Sequence, residues 1–207
     1  MIGNDVVDLG DPEAQPEAIH PRFDERVFAP RESEVLSASG APHRLRWILW
    51  AAKEAAYKVV RKLDAHAVFS PRRFVVELDS RLEGRVRHAA REGDPQRVLP
   101  VHVEEDRLRV HAVAASAPLW GRSLRQGVAW LPGDLADART AARAVALLRV
   151  AECLGAAPES LRIEQEGRVP VVWCKGERAP VDLSLSHHGR FVAFALELLP
   201  PAGEGRP

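Results

Sequence analysis

Residues Trp50-Ala-Ala-Lys-Glu-Ala-Ala-Tyr-Lys58 carry more information about fold and chemistry than any other stretch of the chain. The protein has 25 arginines and only four lysines, Lys53, Lys58, Lys62 and Lys175, and three of the four fall within ten residues around Glu54. A composition that elsewhere prefers arginine points to a need for ammonium here, because ammonium can change its protonation whereas guanidinium stays charged. The alanine-rich stretch predicts a helix, on which Trp50, Glu54 and Lys58 (i, i+4, i+8) share one face. A carboxylate and an ammonium then stand side by side below an aromatic ring. Taken alone, Glu followed by Lys at i+4 is also an ordinary helix-stabilising pair, worth roughly 0.2–0.5 kcal/mol.

Working outward, the 207 residues suffice for one large domain or two small ones. With 29 basic and 29 acidic side chains the formal charge is zero, which excludes a generic nucleic-acid or anionic-membrane binder and leaves room for a local basic pocket. Cys153 and Cys174 form neither a metal-ligand spacing nor a disulfide framework, so a reducing cytoplasm is the expected setting. The start of the chain lacks the regions of a signal peptide, and no apolar run approaches the ~20 residues that span a bilayer.

Residues 2–9 read as a strand, 22–36 as short helical turns, and 44–63 as the main helix, with Leu45, Ile48, Leu49, Ala52 and Val59 as its apolar stripe. Residues 74–78 read as a strand, 81–94 as a charged connection, and 98–103 with 108–114 as a hairpin turning near Glu105-Asp106. Segment 120–134, with Gly121, Gly127, Pro132 and Gly133, is the expected boundary. A second helix follows over 135–154, stopped by Gly155, then strands at 161–165, 170–173 and within 183–198. The fold class is therefore α+β, in two pseudo-symmetric halves, each a long helix packed on a small, mostly antiparallel sheet. The expected division is 1–125 and 126–199, with 200–207 as a disordered tail.

Three segments together resemble the 4′-phosphopantetheinyl transferase superfamily. Gly3-Asn-Asp-Val-Val-Asp-Leu9 is similar to its Gly-x-Asp strand. Arg26-Val-Phe-Ala-Pro-Arg-Glu32, followed by residues 50–58, resembles its Trp-x-x-Lys-Glu-x-x-x-Lys signature. Gly167-Arg-Val-Pro170 with Leu183-Ser-Leu-Ser-His-His-Gly189 is similar to a Gly-Lys-Pro turn and a Ser-His-x-Gly loop, with Val169 intruding before the proline. In the larger, surfactin-type members the turn and the Ser-His loop precede the Gly-x-Asp strand; here they follow it. The order implies a circular permutation, with Leu198 finishing close to Ile2.

The resemblance implies transfer of 4′-phosphopantetheine from coenzyme A to a serine of an apo acyl or peptidyl carrier protein. It implies Mg2+ held by Asp5 and Glu54, with Glu54 and Lys58 as the catalytic pair. Ser186, His187, Arg149 and Arg168 would bind coenzyme A, and pseudo-dimeric halves would make a monomer sufficient. Each residue also has a plainer reading: Asp5 as a strand-end turn acid, His187 as a structural histidine, Arg149 and Arg168 as surface arginines. Lys53 reads as a solvated lysine or a phosphate contact, and Glu32 as an acid near the site or a helix-surface charge. Trp50 reads as a core or cleft-wall aromatic. Where surfactin-type enzymes carry a second acid stands Val7, and Asp8 faces away from Asp5. That keeps two alternatives open: a non-catalytic carrier-protein or coenzyme A binding module, and a hydrolase using water as nucleophile.

Overall fold

The chain opens in strand β1 (Ile2–Asp8) and passes through two short helices, α1 (Phe23–Val27) and α2 (Pro30–Ala38), into the long helix α3 (Pro42–Leu63). The computed structural model describes residues 1–91, 94–118, 123–131 and 137–200. Pro42 suits the first helical turn, where an N–H would have no acceptor, and Arg61 and Lys62 sit where the helix dipole favours cations. Four strands follow, β2 (Phe74–Leu78), β3 (Glu83–His88), β4 (Arg97–Glu105) and β5 (Arg109–Ala115). With β1 they make an antiparallel sheet in the order β1-β5-β4-β3-β2. Strand alternation turns Val7, Val101, Val103, Val110, Ala112 and Ala114 into one core with Ala51, Ala52, Ala55, Ala56 and Val59 of α3.

The second half contains β6 (Leu124–Trp130), helix α4 (Ala138–Leu154), β7 (Leu161–Glu166), β8 (Val169–Cys174), β9 (Glu177–Arg178), β10 (Val181–His188) and β11 (Phe191–Leu198). Its strands form two small antiparallel sheets, β10-β11-β6 and β7-β8-β9. Asp137 caps α4 by accepting from the Arg139 N–H, and Gly155 ends it in the left-handed conformation at φ 61°. Ala146, Val150 and Ala151 pack with Leu183, Phe194 and Leu196. Each half thus sets one long helix on antiparallel strands, as the α+β reading expected.

Two segments differ from expectation. The connection 81–94 contains β3, paired on both sides; its outward Arg85 and Arg87 masked the two inward side chains, Val86 and His88. Segment 120–134 contains β6, which joins β11. Gly121, Pro132 and Gly133 of that segment, and residues 201–207 of the tail, lie outside the described residues.

Both edges of the five-stranded sheet are closed by side chains. At β2, Glu32 accepts the Val76 N–H at 2.8 Å while Lys53 donates to the Phe74 carbonyl. At β1, the N–H groups of Ile2, Asn4 and Asp8 are accepted by Asp182, Ser184 and His188, alternate residues of β10. The outward carbonyls of Ile2 and Asn4 accept from Lys62 and Lys58, each at 2.7 Å. Unpaired strand edges are sites of non-native pairing, and buried backbone groups need partners, so these contacts both protect the sheet and join the halves. The described chain ends also meet: Leu198 pairs with Val181, beside the Asp182 that holds Ile2.

Asp8 adds a further tie across the same seam. Its carboxylate takes two guanidinium N–H groups and the backbone N–H of Arg190, and the Gly10 N–H. Burial by itself would raise its pKa, but these donors hold it at about 2 against an ordinary 3.8. The stabilisation is therefore complete above about pH 4 and is lost as pH falls toward 2. Asp8→Asn is expected to lower the melting temperature at pH 7 and to match the wild type near pH 2. An equal deficit at both would show that the charge is immaterial.

Candidate active site

Helix α3 approaches β1 closely because Gly3 has no side chain. A Cβ there would stand 2.1 Å from the Ala55 carbonyl oxygen and 3.0 Å from Lys58 Cβ. The following residue but one, Asp5, points to the same sheet face as Gly3, toward α3. The glycine of the Gly-x-Asp motif thus sets the spacing at which Asp5 meets Lys58, whose Nζ lies 3.0 Å from Asp5 Oδ1. Gly3→Ala is expected to push helix and strand apart and cost roughly 1–3 kcal/mol of stability, read by denaturant unfolding. An unchanged unfolding midpoint would contradict the contact.

The three lysines of α3 have different duties. Lys53, 0% exposed, donates to Glu32 at 2.7 Å and to the carbonyls of Pro71 and Phe74. Lys62, 4% exposed, donates to Asp182 and to the carbonyls of Ile2 and Leu183. An ammonium has three donors, and both residues use all three on structural acceptors. Burial pushes both ammonium pKa values down, while Glu32 and Asp182 oppose that shift. Lys53 is therefore neither a solvated lysine nor a phosphate contact, and Glu32 is neither a surface charge nor a site acid. Lys58 differs: at 29% exposed it donates to Asp5 and the Asn4 carbonyl, leaving one donor without a partner among the described residues.

Glu54 lies one turn before Lys58 on the same helix face. Burial raises its carboxyl, the nearby charge of Asp5 raises it further, Lys58 lowers it, and the result is about 7. Two carboxylates that repel each other in a partly buried place are a hard oxygen donor set with surplus negative charge. That set fits Mg2+, which takes one or two protein carboxylates and fills its other positions with phosphate and water. Val7, next on the Asp5 face, offers no third oxygen. Trp50 packs against Phe23 and Phe69 at 5.5 and 5.8 Å between ring centroids, as a wall of the aromatic core.

A cleft runs from this point between the halves. One part, about 190 Å³, is bordered by Lys58, Arg61, Lys62, Arg168, Ser184 and Leu185. The adjoining part, about 370 Å³, shares Arg168, Pro170 and Leu185 and adds Arg139, Arg143, Gln165, Ser186 and His187. His187 has a lowered pKa, first from burial and then from Arg139 and Lys58, with Asp5 opposing. Its neighbour His188 faces the other way and accepts the Asp8 N–H. Of the residues expected in the site, Lys58, Arg168, Ser186 and His187 line this cleft, Asp5 is joined to it through Lys58, and Glu54 lies within electrostatic reach of both Asp5 and Lys58. Arg149 does not: it pairs with Glu152 on the exposed side of α4. Arg139 and Arg143, one helical turn apart on α4, supply the positive charge instead. Their i, i+4 spacing was readable, but 25 arginines hid it.

Two other features stand apart. Asp11, Glu13 and His188 cluster closely enough for a metal ion. His188 Nδ1 already accepts a hydrogen bond, however, so in the neutral ring Nε2 carries the proton and offers no lone pair. A cavity of about 720 Å³ lies among β3, β4 and β6 and is lined by none of the residues named for the cleft.

A family model described as the 4′-phosphopantetheinyl transferase superfamily matches residues 1–115, more than half of the chain. That span includes Gly3, Asp5, Glu54 and Lys58. Among curated proteins no match is found. No helix among the described residues is long and apolar enough to cross a membrane.

Proposed function

The chain belongs to the 4′-phosphopantetheinyl transferase superfamily, and from that premise we propose that it moves 4′-phosphopantetheine from coenzyme A to a serine of an apo acyl or peptidyl carrier protein. The observation that carries this reading is Lys58, bonded to Asp5 with one donor unused, one helical turn from Glu54 and bordering a basic cleft. In the proposed reaction the serine Oγ–P bond forms, a pyrophosphate P–O bond breaks, and adenosine 3′,5′-bisphosphate leaves. Such a transfer needs alignment and charge neutralisation more than covalent help from the protein.

Asp5 and Glu54 would hold Mg2+, which when bound supplies positive charge to the pyrophosphate oxygens. Lys58 donates to the departing phosphate oxygen. Glu54 is the carboxylate proposed to accept the serine proton. Arg168, Ser186 and His187, together with Arg139 and Arg143, bind the phosphates of the nucleotide end. Arg149, paired with Glu152 and outside the lining of the cleft, has no part in this binding. We read the chain as a cytoplasmic monomer whose cleft is completed by its own two halves, about 1–125 and 126–199, in circularly permuted order. The meeting of the described ends supports that order.

Val7, where a further acid is common, favours a second reading as a non-catalytic carrier-protein or coenzyme A binding module. Intact-mass spectrometry of an apo-carrier incubated with the protein, coenzyme A and magnesium separates the two. The transferase adds one phosphopantetheine to the carrier. Coenzyme A bound with the carrier unmodified would establish the module, and coenzyme A cleaved without transfer would establish a hydrolase.

A further inference from the structure

Asn4 lies directly beneath the cleft and touches both of its sides. It is 0% exposed, and its partners His111 and Ser186 are 1% and 6% exposed. Its carbonyl accepts from Lys58, and its N–H goes to Ser184. Its side-chain nitrogen reaches Ser186 Oγ at 3.0 Å and His111 Nε2 at 3.2 Å. The even-numbered residues of β1 face the second half, so this amide bridges β5, β1 and β10 through the molecular seam. Ser186 is where the bridge meets the cleft.

We propose that Asn4 and His111 form a buried positioning relay that turns the Ser186 hydroxyl outward as a hydrogen-bond donor to an anion in the cleft. An amide N–H donated to Ser186 Oγ occupies a lone pair on that oxygen. The hydroxyl hydrogen is then available to the cleft rather than to Asn4. The relay places the His111 proton on Nδ1, so that Nε2 accepts and faces the NH₂ end of the asparagine. Burial first, and then the charges of Arg109 and Lys58, lower the His111 pKa to about 3, so the ring is neutral and one of its nitrogens keeps a lone pair. Asn4 Oδ1 and His111 Nδ1 have no partner in this arrangement.

The relay rests on the coenzyme A reading, and its test includes a readout independent of turnover. Calorimetric titration with adenosine 3′,5′-bisphosphate measures the anion contact directly. Asn4→Ala and Ser186→Ala are each expected to weaken binding roughly tenfold, as for loss of one hydrogen bond to a charged group. Their double variant is expected to be no weaker than the poorer single, because both remove the same contact. In the transfer reaction KM for coenzyme A rises to match while kcat stays within about twofold, since the Asn4 carbonyl that holds Lys58 is backbone. His111→Gln, which keeps a side-chain acceptor, is expected to bind nearly as the wild type does, and His111→Leu to reproduce the Asn4→Ala defect. This pair carries the test should Asn4→Ala fail to fold. Wild-type affinity in Asn4→Ala, multiplying defects in the double variant, or equal behaviour of His111→Gln and His111→Leu would each overturn the relay. A wild-type protein that binds no bisphosphate would instead overturn the coenzyme A reading beneath it.

Discussion

Lys58→Ala is expected to lower kcat by roughly 10²-fold or more while the protein stays folded, with a melting temperature only a few degrees lower. Lys58 is the one lysine of α3 with a donor left for a ligand, and at 29% exposed it reaches the cleft. An interaction made to the departing oxygen acts mainly in the transition state, so the loss is expected in kcat with little change in KM for coenzyme A. Removing the ammonium also takes a donor from Asp5 and from the Asn4 carbonyl, a partly buried pairing whose loss accounts for the small fall in stability. Stopped or continuous assays of carrier modification at saturating coenzyme A measure this. Turnover within about threefold of the wild type would remove Lys58 from the chemistry.

Lys53→Met is expected to have the opposite profile. Five residues earlier on the same helix, Lys53 is fully enclosed and bound to Glu32, itself 3% exposed. Deleting one partner of a buried pair leaves an uncompensated charge, at a cost of about 3–5 kcal/mol. For a chain of this size that is a fall of about 10 °C in melting temperature. Glu32 also accepts the N–H groups of Ala29 and Val76, so its displacement would open the β2 edge as well. Activity measured well below the new melting point should remain near that of the wild type. A melt shifted by only about 1–2 °C would show that the pair contributes little to stability.

The contrast between these two lysines explains what could and could not be read from the sequence. Periodicity found α3, the β4–β5 hairpin and α4, because each has a long apolar stripe or clear alternation. It missed β3, where Val86 and His88 alone face inward, and β6, which sits between glycine and proline punctuation. The clustering of lysines was a real signal, but it mixed two causes. Lys53 and Lys62 are lysines because a compact ammonium can satisfy three acceptors inside a fold, whereas a planar guanidinium cannot replace it there. That requirement comes from strand edges that only the tertiary structure brings to the helix.

The site was legible to the extent that its residues lie in local motifs. Gly3, Asp5, Glu54 and Lys58 fall in two such motifs, and the packing explains the glycine: α3 occupies the space a Cβ would need. Ser186 and His187 lie on one strand, and alternation rightly separated His187 from His188. The arginines were the weak point. The resemblance points to Arg149 and is silent on Arg139 and Arg143, which line the cleft because of how α4 packs on β10 and β11, and spacing does not reveal that. Asn4, between two informative residues, carried no signal of its own. Its partners are distant in sequence at His111 and Ser186.

The central claim is that the Asp5–Glu54–Lys58 group and the arginine-lined cleft of the other half form a single coenzyme A site. A crystal structure with coenzyme A and magnesium tests it most directly. The account predicts the pyrophosphate against Lys58, with metal density between Asp5 and Glu54 and the nucleotide phosphate beside Arg139, Arg168 and His187. Coenzyme A seated instead in the cavity among β3, β4 and β6, with Lys58 untouched, would contradict it.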